Sequence, residues 1–184
     1  MARFMVTAIG IDQPGVIAAV SSVLVEQGCN LGDAQMAVLQ GYASMMMVVD
    51  TPRGLSVEGL RSALEEGAAG LGHTFSVEPI RELDEPFGSW RDWQVAIYGS
   101  DRPGIVFEVT RVLAGAGANI VDLRTRLAGR SYSLWMRVHL PSGADGESLA
   151  ARIDRLGSQL GFSCSMRPAP AEEGHGLRWT GQDR

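Results

Sequence analysis

The chain has 184 residues, of which 45% are hydrophobic and 20% charged, and its formal net charge at pH 7 is -5. This length allows one core or two small ones, and the acidic balance disfavours direct binding to nucleic acid. No apolar stretch reaches the roughly 20 residues of a membrane span, and the two cysteines lack metal-ligand or disulfide spacing. We therefore expect a cytoplasmic protein without membrane contact, bound metal or cofactor.

The first half of the chain recurs in the second half at a constant offset of 89 residues, so that Gly10 is matched by Gly99. The same register relates Asp12, Pro14, Gly15, Gly28 and Asn30 to Asp101, Pro103, Gly104, Gly117 and Asn119. A period near 90 is too long for a solenoid repeat and fits a small domain. We predict a first domain over 1–80, a linker over 81–92, a second domain over 93–168 and a disordered tail over 169–184.

Each copy has the same predicted elements, described here with the numbers of the first copy. A short strand over 4–9 runs into a turn, Pro14 suits the first position of a helix, and Gly28 suits the left-handed residue that ends it. A tight hairpin at 40–41 joins two strands, and a second helix precedes a final strand near 75–80. The corresponding strands and hairpin of the second copy fall at 93–98, 129–130 and 162–166.

The order βαββαβ predicts the fold class. It gives an α+β, ferredoxin-like sandwich in which a four-stranded antiparallel sheet carries both helices on one face. The alternation of Leu134, Met136 and Val138 with polar residues marks the core side of the third strand. The open face then carries Met5, Ile9, Met46 and Val48 in the first copy and Gln94, Tyr98, Trp135 and Arg137 in the second. We expect the first, apolar face to pack against another surface.

The turn before the first helix of each copy is a candidate site for a zwitterion. A helix N-terminus leaves N–H groups free for a carboxylate, and Gly15 lets a ligand approach the backbone. Asp12, together with the side-chain amide of Asn30, is suited to an ammonium group. Arg102, which replaces Gln13 in the second copy, makes that copy the better anion site. A purely structural role remains open, because the same residue types form Asx turns, helix caps and left-handed helix ends.

These motifs resemble the ACT domain, the amino-acid-sensing module of metabolic regulation. The resemblance rests on Asp-x-Pro-Gly-(Val/Ile) before the first helix and Gly-x-Asn-(Leu/Ile) after it, each present twice. It implies a ligand between modules, touched by the turn and by the start of the second strand. The residues carried over are Ile11, Asp12, Gln13, Gly15, Asn30, Leu31, Ser100, Asp101, Arg102, Gly104, Asn119 and Ile120.

A tandem pair without a catalytic domain resembles the glycine cleavage repressor group of that family. The resemblance implies a non-catalytic regulator that acts through a protein partner such as a transcription regulator, without contacting DNA. The small size of each copy and the apolar face favour a homodimer.

Other functions stay open at this point. A module that binds no metabolite could use the apolar face for dimerisation or partner docking. An acylphosphatase-like enzyme shares the topology, but the first copy has Gln13 where an arginine-lined phosphate loop is needed. An RNA-binding domain needs aromatic residues on its central strands, and the first copy lacks them.

Overall fold

The structure, a computed structural model, describes residues 2–81 and 89–170. The chain divides into two compact units, Met1–Leu83 and Asp84–Arg184. The predicted tail beyond residue 170 and most of the predicted linker lie outside the described residues.

The first unit has the predicted order of elements, with a short 3₁₀ turn at Ala69–Leu71 before the last strand. Its elements are β1 (Ala2–Ile11), α1 (Val16–Glu26), β2 (Asn30–Leu39), β3 (Tyr42–Thr51), α2 (Val57–Gly67) and β4 (Thr74–Pro79).

The second unit repeats this order. Its elements are β5 (Trp90–Ser100), α3 (Ile105–Ala114), β6 (Asn119–Ala128), β7 (Ser131–Pro141), α4 (Gly146–Leu160) and β8 (Ser163–Pro168). The strand β5 begins three residues earlier than the sequence pattern predicts, because Trp90 and Asp92 continue the antiparallel pairing with β7.

Each unit forms one four-stranded antiparallel sheet, with strand orders β2-β3-β1-β4 and β6-β7-β5-β8. Helices and sheet enclose a separate apolar core in each unit. The predicted core side of β7 is confirmed, since Leu134, Met136 and Val138 are all buried. The predicted ferredoxin-like α+β class is therefore confirmed in both units.

Glycines fix the backbone where the two repeats agree most closely. Gly28 and Gly117 follow α1 and α3 with φ of 67° and 70°, the left-handed conformation expected after a helix end. Gly10 and Gly99 are required by packing instead. A Cβ at Gly10 would lie 2.5 Å from Cγ of His73, and one at Gly99 would lie 2.1 Å from Cδ1 of Phe162.

The open sheet face differs between the units in the predicted way. In the first unit Ile9 and Met46 are exposed, while Met5 and Val48 are half-buried. At the matched positions the second unit has Tyr98, Trp135, Gln94 and Arg137, of which only Tyr98 is exposed.

Candidate ligand-binding site

The turn between the first strand and the first helix has the same backbone in both units. Gly15 and Gly104 precede α1 and α3 with φ of 95° and 96°, so both are left-handed. This conformation is incompatible with a helix, and the helices therefore begin at Val16 and Ile105. The prediction that Pro14 and its match occupy the first helical position is wrong by two residues.

These glycines leave the start of each helix accessible. A Cβ built at Gly15 or at Gly104 would meet no heavy atom of the structure within 4 Å. The first N–H groups of a helix have no partner within the helix and attract anions. Both turns thus present backbone donors to any carboxylate that reaches them.

The aspartates of the turn are held by their backbone and not by their side chains. The N–H of Asp12 donates to the carbonyl oxygen of Gly41 at 2.9 Å, and that of Asp101 to Arg130 at 3.1 Å. Both side chains are exposed. Within residues 2–81 and 89–170, neither carboxylate accepts a hydrogen bond from the start of its helix. The structure therefore gives no support to their interpretation as helix caps.

The residue after each aspartate makes a different contact in each unit. Nε2 of Gln13 donates to the carbonyl oxygen of Leu71 at 2.8 Å. The guanidinium of Arg102 lies 4.9 Å from the ring centre of Phe162. A cation above an aromatic face is attracted by the ring. The second turn therefore has a cationic side chain where the first has a neutral amide.

Tyr132 adds a further group near the second turn. Burial raises the pKa of its phenol, and the nearby Asp101 carboxylate raises it further, against a hydrogen bond with Thr125 that lowers it. The first unit has Ala43 at the matched position. Sequence reasoning missed this phenol, although the repeat offset identifies the exchange.

Asn30 and Asn119 do not meet the turn of their own unit. Asn30 pairs with Asp50 on β3, whereas Ile11 pairs with Tyr42 at the other end of that strand. Eight residues of strand at about 3.3 Å each separate these pairs by roughly 26 Å. Helix α1 carries the chain back across the sheet between the two positions, and α3 does the same in the second unit.

The asparagines are also not the left-handed residues of the helix ends. Both begin strands, and the left-handed residues are the glycines two positions earlier. The residues after them differ in exposure, since Leu31 is partly exposed and Ile120 packs against the core of the second unit.

A group of ionic side chains surrounds Asn119 on the open face, and sequence reasoning missed it. Asn119 pairs with His139, which pairs with Asp92 on the next strand. The Asp92 carboxylate lies 2.7 Å from Nη2 of Arg137 and 3.2 Å from Nε2 of His139. Trp90 stacks at a tilt against His139, with ring centres 6.0 Å apart.

The first unit has a simpler ion pair at the same place. Nε of Arg3 lies 3.1 Å from Oδ1 of Asp50, beside Asn30. The repeat offset relates these two residues to Asp92 and His139. Both asparagines therefore lie beside ionic groups, and the signs of the charges differ between the units.

Two concave regions accompany these sites. In the first unit, α1 and β2 border an apolar cleft of about 210 Å³ lined by Ile17, Leu31, Met36 and Met47, among others. In the second unit a shallow concavity of about 620 Å³ lies on the open face, where Arg126, Ser131 and Ser133 line it beside Tyr98.

No helix in the described part of the chain is both long and apolar enough to span a membrane. Residues 2–81 and 89–170 also contain no cluster of three or more histidine, cysteine or acidic side chains arranged to hold a metal ion.

The two units define a class, namely proteins with tandem ferredoxin-like βαββαβ modules that share one turn and one strand-start motif. The ACT domain family model matches residues 2–78 and 92–167. The chain belongs to the ACT domain family.

The chain is also similar to individual proteins and to solved structures. A UPF0237 protein of Methanopyrus kandleri is 41% identical over 73 residues, 39% of this chain and 81% of that protein. Phosphoserine phosphatase SerB2 of Mycobacterium tuberculosis is 27% identical over 95% of this chain, which spans 41% of that protein. The solved structure of a candidate glycine cleavage system transcriptional repressor matches with a TM-score of 0.65, 16% identity, and coverage of 92% and 98%. At that identity the last match shows the shared fold alone.

Proposed function

We propose that this chain is a non-catalytic regulatory protein of amino-acid metabolism, whose contacts with a protein partner change when it binds a small amino acid. The observation that carries the proposal is the pair of accessible helix starts at Gly15 and Gly104, each beside an exposed aspartate that caps nothing in the described structure. The helix start suits the carboxylate of an amino acid, and the aspartate suits its ammonium group.

The second half of the proposed site comes from a different ACT unit. The distance of roughly 26 Å along β3 keeps Asn30 away from Asp12 of the same unit. One ligand can touch both kinds of residue only when a turn faces the strand start of another unit. This is the arrangement that the family resemblance implies.

The edge strands support such pairing. β2 is exposed at all ten positions and β6 at most of its positions, so the backbone groups on their outer edge are open to another strand. Both edges also keep exposed apolar side chains on the helix side, namely Leu31, Met36 and Val38 in β2 and Leu123 and Leu127 in β6. We propose that these edges pair with further ACT units.

The relatives support the metabolic setting. Phosphoserine phosphatase SerB2 contains a stretch that is similar to nearly all of this chain, and its name describes an enzyme that acts on phosphoserine, a phosphorylated amino acid. Because this chain spans less than half of that protein, we do not extend the phosphatase activity to it. Control of transcription through a protein partner is part of the proposal, on the strength of the resemblance to the glycine cleavage repressor group.

Thermal unfolding with a panel of amino acids at millimolar concentration tests the proposal. A ligand at 100 times its Kd adds about 2.7 kcal/mol to the free energy of unfolding. At the ceiling of about 1.5 kcal/mol per heavy atom, five-atom glycine binds with a Kd no tighter than a few micromolar. If no amino acid shifts the transition, the amino-acid proposal is wrong.

Variants locate the site once a ligand is found. Asp101→Ala and Asn119→Ala should each remove the shift. The first change removes the carboxylate that contacts the ammonium group of the ligand, and the second removes the amide that contacts the ligand from a strand start. Arg102→Gln should weaken binding about tenfold or more, and Gln13→Arg should strengthen it at the first turn. Glu66→Ala, an exposed change on α2, is the control and should respond like the unaltered chain. A normal shift in Asp101→Ala would place the ligand elsewhere.

A second function, a ligand-independent interaction module, is favoured by the exposed apolar edge of β2. The two functions differ in one result. The interaction module associates with a protein partner or with itself equally well in the presence and absence of every amino acid tested.

A further inference from the structure

The open face of the first unit carries five large apolar side chains near the β2–β3 hairpin, and we call this surface the hairpin patch. Its members are Ile9, Ile11, Leu39, Tyr42 and Met46, which are between 53% and 74% exposed. The strand register makes them neighbours. Leu39, Tyr42 and Ile11 lie in one row across β2, β3 and β1, and Ile9 and Met46 occupy the next two rows.

The hairpin patch is about as large as the largest apolar patch of a typical monomer, and such patches often mark interaction sites. A large apolar side chain more than half exposed presents on the order of 100 Å², so the five present roughly 500 Å², near the upper end for monomers. A stable interface buries about 800 Å² on each partner. The small side chains between them, Ala37, Ser44 and Thr7, extend the surface toward that size.

The charge distribution indicates which partner fits. Across the described strands, the three rows that hold the patch contain no charged residue. The next row on this face holds the exposed carboxylate of Glu78, beside Met5, and the ion pair of Arg3 with Asp50 lies at the opposite end of the sheet. A neutral surface can face its own copy across a twofold axis without bringing like charges together. A nucleic acid, or a strongly charged protein, would need complementary charges that these rows lack.

The matched positions of the second unit are more polar. Ile9, Ile11, Leu39 and Tyr42 are matched there by Tyr98, Ser100, Ala128 and Ser131. Arg124 and Arg126 lie where the first unit has Gln35 and Ala37. Two copies of that face would bring arginines together, which opposes self-association. The apolar character is thus specific to the first unit and is not a property of the fold.

We propose that the hairpin patch is the contact surface of a homodimer in which the open faces of two first units pack against each other. Two sheets packed face to face lie about 10 Å apart, and their inner side chains interdigitate. In a twofold arrangement the same patch contributes both sides of the interface, so every contact between two patch residues occurs twice. The proposal does not depend on the amino-acid ligand: of the patch residues only Ile11 borders the turn, and the variants that test the patch alter neither the turn nor the strand start.

Sedimentation of the full chain tests the proposal with a matched pair of variants. The chain of 19.7 kDa should sediment as a dimer of twice that mass. Ile9→Lys combined with Leu39→Lys should weaken the dimer about 100-fold or more, because four ammonium groups enter one apolar interface. Tyr98→Lys with Ala128→Lys makes the same change at the matched positions of the second unit and should leave the dimer intact. Circular dichroism and urea unfolding confirm that both variants remain folded.

Three results would overturn the proposal. The first is a monomer at every concentration of the unaltered chain. The second is an unchanged dimer in the folded Ile9→Lys/Leu39→Lys variant, which would leave the pairing proposed above for the β2 edge as the dimer contact instead. The third is an equal loss of the dimer in the Tyr98→Lys/Ala128→Lys control.

Discussion

The two units share a backbone and differ on the surfaces that this backbone presents. The hairpin ends of their open faces make the contrast clear, because an apolar patch around Ile9 and Leu39 occupies the positions of a polar concavity around Tyr98 and Arg126. The glycines, by contrast, are retained where geometry requires them, at the left-handed turns and beneath the ring at residue 73 or 162. Residues that are identical in the two repeats therefore mainly maintain the backbone, and residues that differ mainly change the surface that each unit offers to a partner.

The largest expected difference between the units comes from the glycines beneath the rings. Gly99→Ala should lower the free energy of unfolding by about 2–3 kcal/mol, because the new methyl group overlaps the buried Phe162 ring. Gly10→Ala should cost about 1–2 kcal/mol, since the half-buried His73 can move toward solvent.

Urea unfolding separates these effects. Tryptophan fluorescence reports on the second unit, because Trp90, Trp93 and Trp135 lie there and the first unit has no tryptophan. Gly70→Ala and Gly143→Ala are matched controls, since a Cβ at either position meets nothing within 4 Å. If Gly99→Ala is no more destabilising than Gly143→Ala, the ring contact does not explain the glycine.

The sequence predicted the fold well because its signals are local. Alternation along β7 identified Leu134 and Met136 as core, and glycine at 28 and 117 identified the helix ends. The start of α1 was misplaced because Pro14 and Gly15 are adjacent turn residues. A helix can begin with a proline at its first position, or it can begin after a left-handed glycine, and this sequence allows both. The structure shows that the helix begins after the glycine.

The site was predicted less well because it depends on distances across the sheet. Asp12 and Asn30 are close in sequence, but a helix of 11 residues, about 16 Å long, separates them. The pairing of Asp92 with Arg137 joins residues 45 positions apart, which no local pattern indicates. The sequence did contain one indication of this ionic group, since the repeat offset places Asp92 in the second copy where the first copy has Arg3.

Helix caps provide the next comparison, between two side chains that cap a helix and two aspartates that do not. Ser56 accepts a hydrogen bond from the N–H of Gly59, and Asp145 accepts one from the N–H of Ser148, each at 3.0 Å. Ser56→Ala and Asp145→Ala should each cost about 1 kcal/mol of unfolding free energy. Asp12→Ala and Asp101→Ala should stay within about 0.5 kcal/mol of the unaltered chain.

Urea unfolding midpoints measure all four variants under one condition. A loss in Asp12→Ala as large as that in Ser56→Ala would restore the capping interpretation of the turn. The expected pattern instead leaves the turn aspartates without a stabilising role and strengthens the case for a ligand.

Alkaline pH gives the smallest expected effect and distinguishes the units by their buried acids. Burial raises the pKa of the Cys164 thiol and of the Tyr132 phenol in the second unit, and it raises the pKa of the Cys29 thiol in the first. The unfolded chain therefore loses these protons at lower pH than the folded chain does. Stability from these groups is complete below the unfolded thiol pKa of about 8.5 and falls as the pH rises above it.

Urea unfolding at pH 7.5 and pH 9.5, followed by tryptophan fluorescence, tests this expectation. Between these pH values the free energy of unfolding should decrease more in the unaltered chain than in Cys164→Ala, whereas Cys29→Ala should leave that decrease unchanged. An equal decrease in Cys164→Ala would mean that this thiol has the same pKa in the folded and unfolded chain, and the second unit would then owe its alkaline sensitivity to Tyr132.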